Sequence, residues 1–168
     1  MSTFIIPEDA RSSKQRAEIG PAPYYHRSDC NICRMLDGLF PKLAGDHVVE
    51  GEHFIAQHAP LKQASAGTLL VVARRHLLDF GEMTPEESAE LGTILRRLVP
   101  ALKAATGAHR VYYLALMERV AHFHLWLSPK KKGGRLKGVA YLARRPVPAS
   151  NRAAAAIVKK IQNQLDRS

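Results

Sequence analysis

The stretch of sequence that decides the fold spans residues 121–130 and reads AHFHLWLSPK. Because side chains alternate between the two faces of a strand, His122, His124 and Trp126 are predicted to share one face. The apolar residues between them face the other way and are predicted to be buried: Phe123, Leu125 and Leu127. Two neighbouring imidazoles on a rigid strand are suited to catalysis or metal binding. Alternatively, they are structural histidines of a half-buried strand, with their hydrogen bonds made within the protein.

Working outward, the flanking patterns predict a mixed α+β fold. Residues 48–57 are typical of a hairpin, residues 68–73 form a continuous apolar run expected of a central strand, and residues 110–117 predict the strand before the histidine strand. A short helix is predicted near Cys30 and a further helix after Ser150. The expected architecture is a five-stranded antiparallel sheet with a short N-terminal helix, a long helix and a C-terminal helix.

The long helix has the clearest boundaries in the sequence. Thr84 is the predicted N-cap, Pro85 occupies the first helical position, and Glu87 completes a capping box. Gly107 is expected to end this helix. With 168 residues, the chain is expected to form one domain over residues 28–132, preceded by a partly disordered arm (1–27) and followed by a basic C-terminal extension with a helix (133–168).

The chain is strongly basic, with a formal net charge of +10. This charge favours an anionic partner such as a nucleotide over a merely solvated surface. For nucleic acid as the partner, a solvated basic face is at least as good an interpretation. Part of the excess follows directly after the histidine strand, at Lys130–Lys132, Arg135, Lys137, Arg144 and Arg145. No apolar run suits a membrane span, and the N-terminus lacks a signal-peptide pattern, so we expect a cytoplasmic protein without a membrane partner.

Cys30 and Cys33 form the only Cys-x-x-Cys pair of the sequence. Such a pair fits a reducing compartment, where thiols bind metal, do redox work or simply lie buried. A thioredoxin-like role requires a βαβ unit, which the predicted element order does not contain.

Together these motifs resemble the histidine triad (HIT) superfamily. The family motif alternates three histidines with apolar residues and is followed by Pro and a basic residue, as in His122 to Lys130, with Trp126 at the third histidine position. Bacterial-type members open with Cys-x-x-Cys and a short helix, and then carry a Val-x-Glu hairpin, an apolar strand and a basic-x-His. The matches here are Cys30–Cys33, Val48–Ala56 and Gly67–His76.

The resemblance implies a nucleotide hydrolase or nucleotidyl transferase acting at the α-phosphate of a dinucleoside polyphosphate or related nucleotidyl compound. His124 would be the nucleophile and would form a nucleotidyl-histidine intermediate. On position alone, Trp126, Arg119 and Lys130 are candidates for nucleotide or phosphate contacts. The resemblance also implies a structural zinc held by Cys30, Cys33, His76 and His122, and a homodimer.

Some family features are replaced in this chain. Residues 117–121 read MERVA where the family usually has a Gly-Gln-Ser type loop, and residues 58–61 supply no acid for a ribose. The indole of Trp126 donates a hydrogen bond but cannot relay a proton. The alternative hypothesis is therefore a catalytically weakened module that binds a nucleotide or a nucleic acid.

Overall fold

The structure is a computed structural model that describes residues 29–39 and 47–167. Helix α1 spans Asn31–Leu36, α2 Pro85–Thr106, α3 Gly138–Leu142 and α4 Asn151–Leu165. The strands are β1 Val49–Glu50, β2 Phe54–His58, β3 Leu69–Ala73, β4 Arg110–Leu114 and β5 His124–Lys130. The predicted N-terminal arm lies outside the described residues.

The five strands form one antiparallel sheet in the order β1-β2-β3-β5-β4. The α+β class, the hairpin and the central position of the apolar strand β3 are therefore as predicted. The two strands around the histidine motif are shorter than predicted, since β4 ends at Leu114 and β5 begins at His124. The residues directly before His124 lie in a connecting segment and not in the strand. There the Phe123 N–H donates to the carbonyl of Leu77, which also lies in a connecting segment.

One face of the sheet packs against α2 and α4 to form the main core. Phe123, Leu125 and Leu127 point into this core, as their alternation predicted. The C-terminal helix α4 begins at the N-cap Ser150, as expected, and buries Val158, Ile161 and Leu165 in the same core. Ala154 of this helix is also buried. The last helix is thus packed on the fold that carries the histidine strand.

The opposite face of the sheet is covered in part by α1. A second, smaller apolar cluster joins α1 to strands β2, β3 and β5, and it consists of Ile32, Met35, Leu36, Ile55, Ala59, Ala64, Leu70, Val72 and Trp126. In the register of the sheet, His124 lies opposite Val72 and Trp126 lies opposite Leu70. This face therefore carries His124 and Trp126, two of the three motif residues that were predicted to share a face.

The start of α2 follows the predicted capping box in full. The Thr84 hydroxyl accepts from the Glu87 N–H at 3.2 Å, and the Glu87 carboxylate accepts from the Thr84 N–H at 2.8 Å. The helix runs through Pro100 and ends at Gly107, which adopts a left-handed φ of 67°. Within the described ranges, no helix combines the length and apolar character that crossing a bilayer requires.

Candidate functional site

Four side chains from separate parts of the sequence meet at one end of the sheet. Cys30 directly precedes α1, Cys33 lies within it, His76 follows β3, and His122 precedes β5. Their ligand atoms all lie within 4.8 Å of one another, and three of the four residues are buried. These are the four residues for which the family resemblance implied a zinc site.

The spacing of these donor atoms fits a tetrahedral metal ion. The Cys30 Sγ and the Cys33 Sγ each lie 3.5 Å from the His122 Nδ1, and the Cys33 Sγ lies 3.4 Å from the His76 Nδ1. Zinc–sulfur bonds of about 2.3 Å and zinc–nitrogen bonds of about 2.0 Å at a tetrahedral angle place S and N about 3.5 Å apart. One imidazole lone pair can accept only one S–H, whereas one ion can serve all four donors.

The tautomer of His122 is set by a backbone contact. Its Nε2 lies 2.7 Å from the Ala73 carbonyl oxygen, which can only accept, so the Nε2 carries the proton. In the neutral ring the Nδ1 lone pair is then directed at the two sulfurs. A carbonyl that orients the far nitrogen of a histidine is the usual second contact of a metal ligand.

His76 sits on a segment that is anchored to the start of α2. Its neighbour Arg75 donates to both carboxylate oxygens of Glu87, at 2.8 Å each, and to the Glu82 carbonyl. Burial alone would raise the pKa of Glu87, but the hydrogen bonds from Arg75 and the Thr84 backbone outweigh it and hold that pKa below its ordinary value. The same pairing raises the pKa of Arg75.

His124 lies immediately beyond this cluster, at the first position of β5. Its Nδ1 donates to the His122 carbonyl oxygen at 2.7 Å, so the proton of the neutral ring is on Nδ1. Among the described residues, none makes a hydrogen bond with its Nε2, whose lone pair is thus available. The ring is only 7% exposed, so its orientation is held by the surrounding fold.

Trp126 is the next residue on the face that carries His124. The two rings meet edge to face, with centroids 6.5 Å apart. Beyond Trp126 lies a cavity of about 210 Å³, whose walls include Thr68, Ser128 and Arg144. Trp126 itself lines this cavity, whereas His124 does not.

The other two predicted contact residues lie elsewhere. Arg119 is exposed and lines a cavity of about 150 Å³ beside Cys30 and His76. Lys130 ends β5, six residues after His124, which corresponds to roughly 20 Å along a strand. The structure therefore brings Arg119 to the cluster of two cysteines and two histidines and does not bring Lys130 to His124.

Two polar residues beside Trp126 were not singled out from the sequence. Ser128 follows Trp126 by two positions and so shares its face, a signal that strand alternation does contain. Arg144 comes from the segment after α3, and its guanidinium lies over the Tyr141 ring at 3.5 Å. The sequence assigned Arg144 to a basic extension, and nothing local predicted that it would fold back beside Trp126.

Comparison with known proteins gives the fold but not the activity. No protein-family model matches the sequence, and no curated protein matches it. Solved structures do match, at identities of 14–20% for the three described next. The five-stranded antiparallel sheet with its helices is therefore that of histidine triad proteins.

The matched structures come from three organisms. A Hit-like protein involved in cell-cycle regulation from Bartonella henselae is 14% identical, with 83% of this chain and 98% of that chain covered and a TM-score of 0.64. A hypothetical histidine triad nucleotide-binding protein from Sulfolobus tokodaii is 20% identical (82% and 93% covered, TM-score 0.65). A Zn-bound histidine triad family protein from Mycobacterium smegmatis is 19% identical (83% and 94% covered, TM-score 0.63).

Proposed function

We propose that the chain binds a nucleotidyl compound and transfers its nucleotidyl group to water or another acceptor through His124. The observation that supports this most directly is the Nδ1–H contact of His124 with the His122 carbonyl, at 2.7 Å. It leaves an unprotonated Nε2 on a buried, oriented ring, which is the form of imidazole that acts as a nucleophile. The fold, shared with histidine triad proteins, supports the same assignment.

The proposed reaction proceeds in two substitutions at the α-phosphorus. In the first, the Nε2 lone pair forms an N–P bond while the P–O bond to the leaving group breaks, and the leaving group departs with the electron pair. In the second, the oxygen of water or of another acceptor forms a bond to phosphorus, the electron pair returns to Nε2, and the acceptor loses its proton to solvent. The proton stays bonded to Nδ1 and is donated in a hydrogen bond to the His122 carbonyl throughout, which stabilises the positive charge that the ring acquires.

Trp126 limits which leaving groups this site can expel. The indole N–H can donate a hydrogen bond but cannot give up its proton at neutral pH, so it cannot serve as a general acid. A leaving group that is already stable as an anion, such as a phosphate chain, needs no such acid. We therefore propose a dinucleoside polyphosphate or a related nucleotidyl anhydride as the substrate, with Trp126 as a packing or stacking surface.

The metal cluster is proposed to hold one zinc ion in a structural role. Two thiolates and two imidazoles form a closed set of four ligands, which leaves no position for substrate or water. The Zn-bound histidine triad protein of Mycobacterium smegmatis supports this choice of metal. When bound, the ion would tie α1 to the ends of β3 and β5; the chemistry at phosphorus is left to His124.

The test is mass spectrometry of the protein after brief incubation with dinucleoside polyphosphates. We expect a nucleotidyl adduct on the peptide that contains His124, in wild type and in a variant of the exposed His109, and no adduct in His124→Ala. Turnover measured on the same nucleotides should fall by about a thousandfold or more in His124→Ala, the usual size of a nucleophile effect. Equal turnover in wild type and His124→Ala would refute the assignment.

A second candidate function follows from Trp126 alone. Because Trp126 occupies the position of the third motif histidine and joins the second apolar cluster, the site is also suited to a binding module without turnover. Nucleotides would then raise the melting temperature, and neither product nor adduct would form.

For either function we propose that the protein is a homodimer in the cytoplasm. Sedimentation of the purified protein measures its mass and so tests the dimer.

A further inference from the structure

The excess of positive over negative charge in this chain comes from one part of the sequence. Residues 119–165 contain 11 Lys and Arg side chains and no Asp or Glu. Of the 25 basic and 15 acidic residues in the whole chain, this leaves 14 basic against 15 acidic elsewhere. The entire excess therefore comes from β5 and the residues on either side of it.

Part of this charge surrounds a cavity at the end of β5 that is far from His124. The cavity has a volume of about 610 Å³. It is lined by His109, Arg110, Tyr112, Lys130, Lys131, Lys132, Gly133, Gly134 and Lys137. Five of these residues are cationic and none is acidic, so the walls attract negative charge from several sides.

Lys130 is the fixed cation of this cavity. It is only 9% exposed, and its ammonium lies 3.4 Å from the carbonyl oxygens of Lys131 and Gly134. A Cβ at Gly134 would lie 3.3 Å from that ammonium, so the backbone of the turn passes close to it. The turn after β5 is therefore folded around one buried ammonium, with Lys131 and Lys132 exposed beside it.

Among the described residues, no acidic side chain forms an ion pair with the lysines of this turn. In the described part of the chain, the ion pairs join His47 to Glu50, His53 to Glu90 and Arg75 to Glu87. None of them involves the residues of the cavity. Cations around one concave surface repel one another, and an anionic ligand bound there would relieve that repulsion.

We propose that this cavity binds a short chain of phosphate groups, as in tripolyphosphate or the phosphate chain of a nucleotide. Its volume suits a compact small molecule. Concave walls suit such a ligand better than a flat bilayer. Single-stranded nucleic acid would need an open aromatic face for its bases, but Tyr112 and Tyr141 pack against each other at 5.3 Å and Arg144 covers Tyr141.

The experiment is calorimetric titration of the full chain with tripolyphosphate, at low and at high salt. Lys131→Ser with Lys132→Ser should weaken binding about tenfold or more, since two charged hydrogen-bond donors are lost. Lys159→Ser with Lys160→Ser is the matched control, because it removes the same charge from the exposed face of α4 outside the cavity. That control should change the affinity less than about twofold, and raising the salt should weaken binding to wild type.

One further variant and two further outcomes test the proposal. His124→Ala should bind tripolyphosphate as tightly as wild type, which separates this cavity from the proposed reaction site. Equal losses in the two lysine pairs would overturn the proposal, because diffuse charge would then account for binding. A single-stranded RNA or an anionic phospholipid vesicle that binds while tripolyphosphate does not would likewise overturn it, in favour of that macromolecular partner.

Discussion

The two ends of β5 differ in how their polar side chains are held. At the first end, His122 and His124 are buried, and each has one ring nitrogen fixed by a backbone carbonyl at 2.7 Å. At the other end, Lys131 and Lys132 are exposed around a cavity of about 610 Å³. One strand thus connects a site where histidine ring nitrogens are held in fixed orientations to a site where several lysines surround one cavity.

This difference matches what each kind of chemistry requires. Nucleophilic attack depends on which nitrogen carries the proton, so the protein must fix a tautomer by contacts in its interior. Attraction of a phosphate chain depends on charge at a distance of several ångströms and tolerates mobile side chains. The first end should therefore respond to loss of a single contact, and the second should respond to the number of cations that line its cavity.

The largest effect is expected from breaking the metal cluster with Cys33→Ser. Zinc content should fall from about one ion per chain to near zero. The free energy of unfolding should fall by about 4 kcal/mol, the stabilisation given by a ligand at a thousand times its dissociation constant. Metal analysis and chemical denaturation measure the two quantities.

The control for Cys33→Ser is Lys131→Ser at the other end of β5, which should change neither zinc content nor unfolding. A wild-type protein purified without chelators that contains no zinc would contradict the metal assignment. Unchanged stability after complete zinc removal would contradict its structural role.

A smaller effect is expected from Glu87→Gln, which keeps the capping box but removes the charge that pairs with Arg75. We expect a loss of about 2 kcal/mol at neutral pH, the size of a charged hydrogen bond. Because the pKa of Glu87 is lowered in the folded state, its stabilisation is fully present above the ordinary value of 4.5 and is lost as pH falls through the lowered value.

Denaturation of wild type and Glu87→Gln at neutral and at acidic pH measures this dependence. The difference between the two proteins should shrink below pH 4.5. A difference that stays constant with pH would show that the lost packing, and not the ion pair, caused the destabilisation.

The reactive end can be sharpened with Trp126→His, which supplies a third motif histidine. If the proposed reaction is correct, an imidazole can protonate a poor leaving group, and turnover of such substrates should rise about tenfold. Substrates whose leaving group is a phosphate chain should gain little. Steady-state turnover measured on substrates with poor leaving groups and on substrates with phosphate-chain leaving groups tests this. Trp126→Phe is the control for lost indole contacts. Equal gains in Trp126→His and Trp126→Phe would show that proton donation by the new histidine is not the cause.

The smallest effect is expected at His58, which lies in the half of the sheet nearer to Lys130. Its Nδ1 donates to the Ala59 carbonyl at 2.7 Å, and its Nε2 accepts from the Gly67 N–H at 3.0 Å, so only the neutral ring fits. Burial lowers the pKa of His58, although the Ala59 contact acts against this. Between this lowered pKa and 6.5, the unfolded chain binds the extra proton, so stability should rise with pH.

Unfolding measured from mildly acidic to neutral pH checks the His58 prediction. The slope should not exceed about 1.4 kcal/mol per pH unit for a single proton, and it should vanish in His58→Gln. The exposed His109→Asn is the control and should keep the wild-type slope.

The sequence was most informative where a local pattern also determines the tertiary contact. The alternation of Phe123, Leu125 and Leu127 predicted their burial because a strand has only two faces. The capping box at Thr84 predicted the start of α2 because its partners lie within one turn. The metal residues could be grouped only through the family resemblance, since Cys33 and His76 are far apart in sequence.

Prediction was weaker where position along an element or a long-range fold-back decides the geometry. Lys130 shares the face of His124 but lies six positions further along the strand. The rise per residue of a strand would have been enough to predict that Lys130 lines a different cavity. Arg119 and Arg144 lie in connecting segments, whose paths depend on what they pack against. No local pattern encodes those paths.

His122 contributes to both parts of the reactive end, but by different chemical groups. Its imidazole belongs to the metal cluster, whereas the contact to His124 is made by its backbone carbonyl, which every amino acid possesses. In evolutionary terms, the proposed metal site and the geometry of the proposed nucleophile are therefore separable at this position. A lineage could replace the histidine at 122 together with the two cysteines and still hold the imidazole of His124 in the same tautomer.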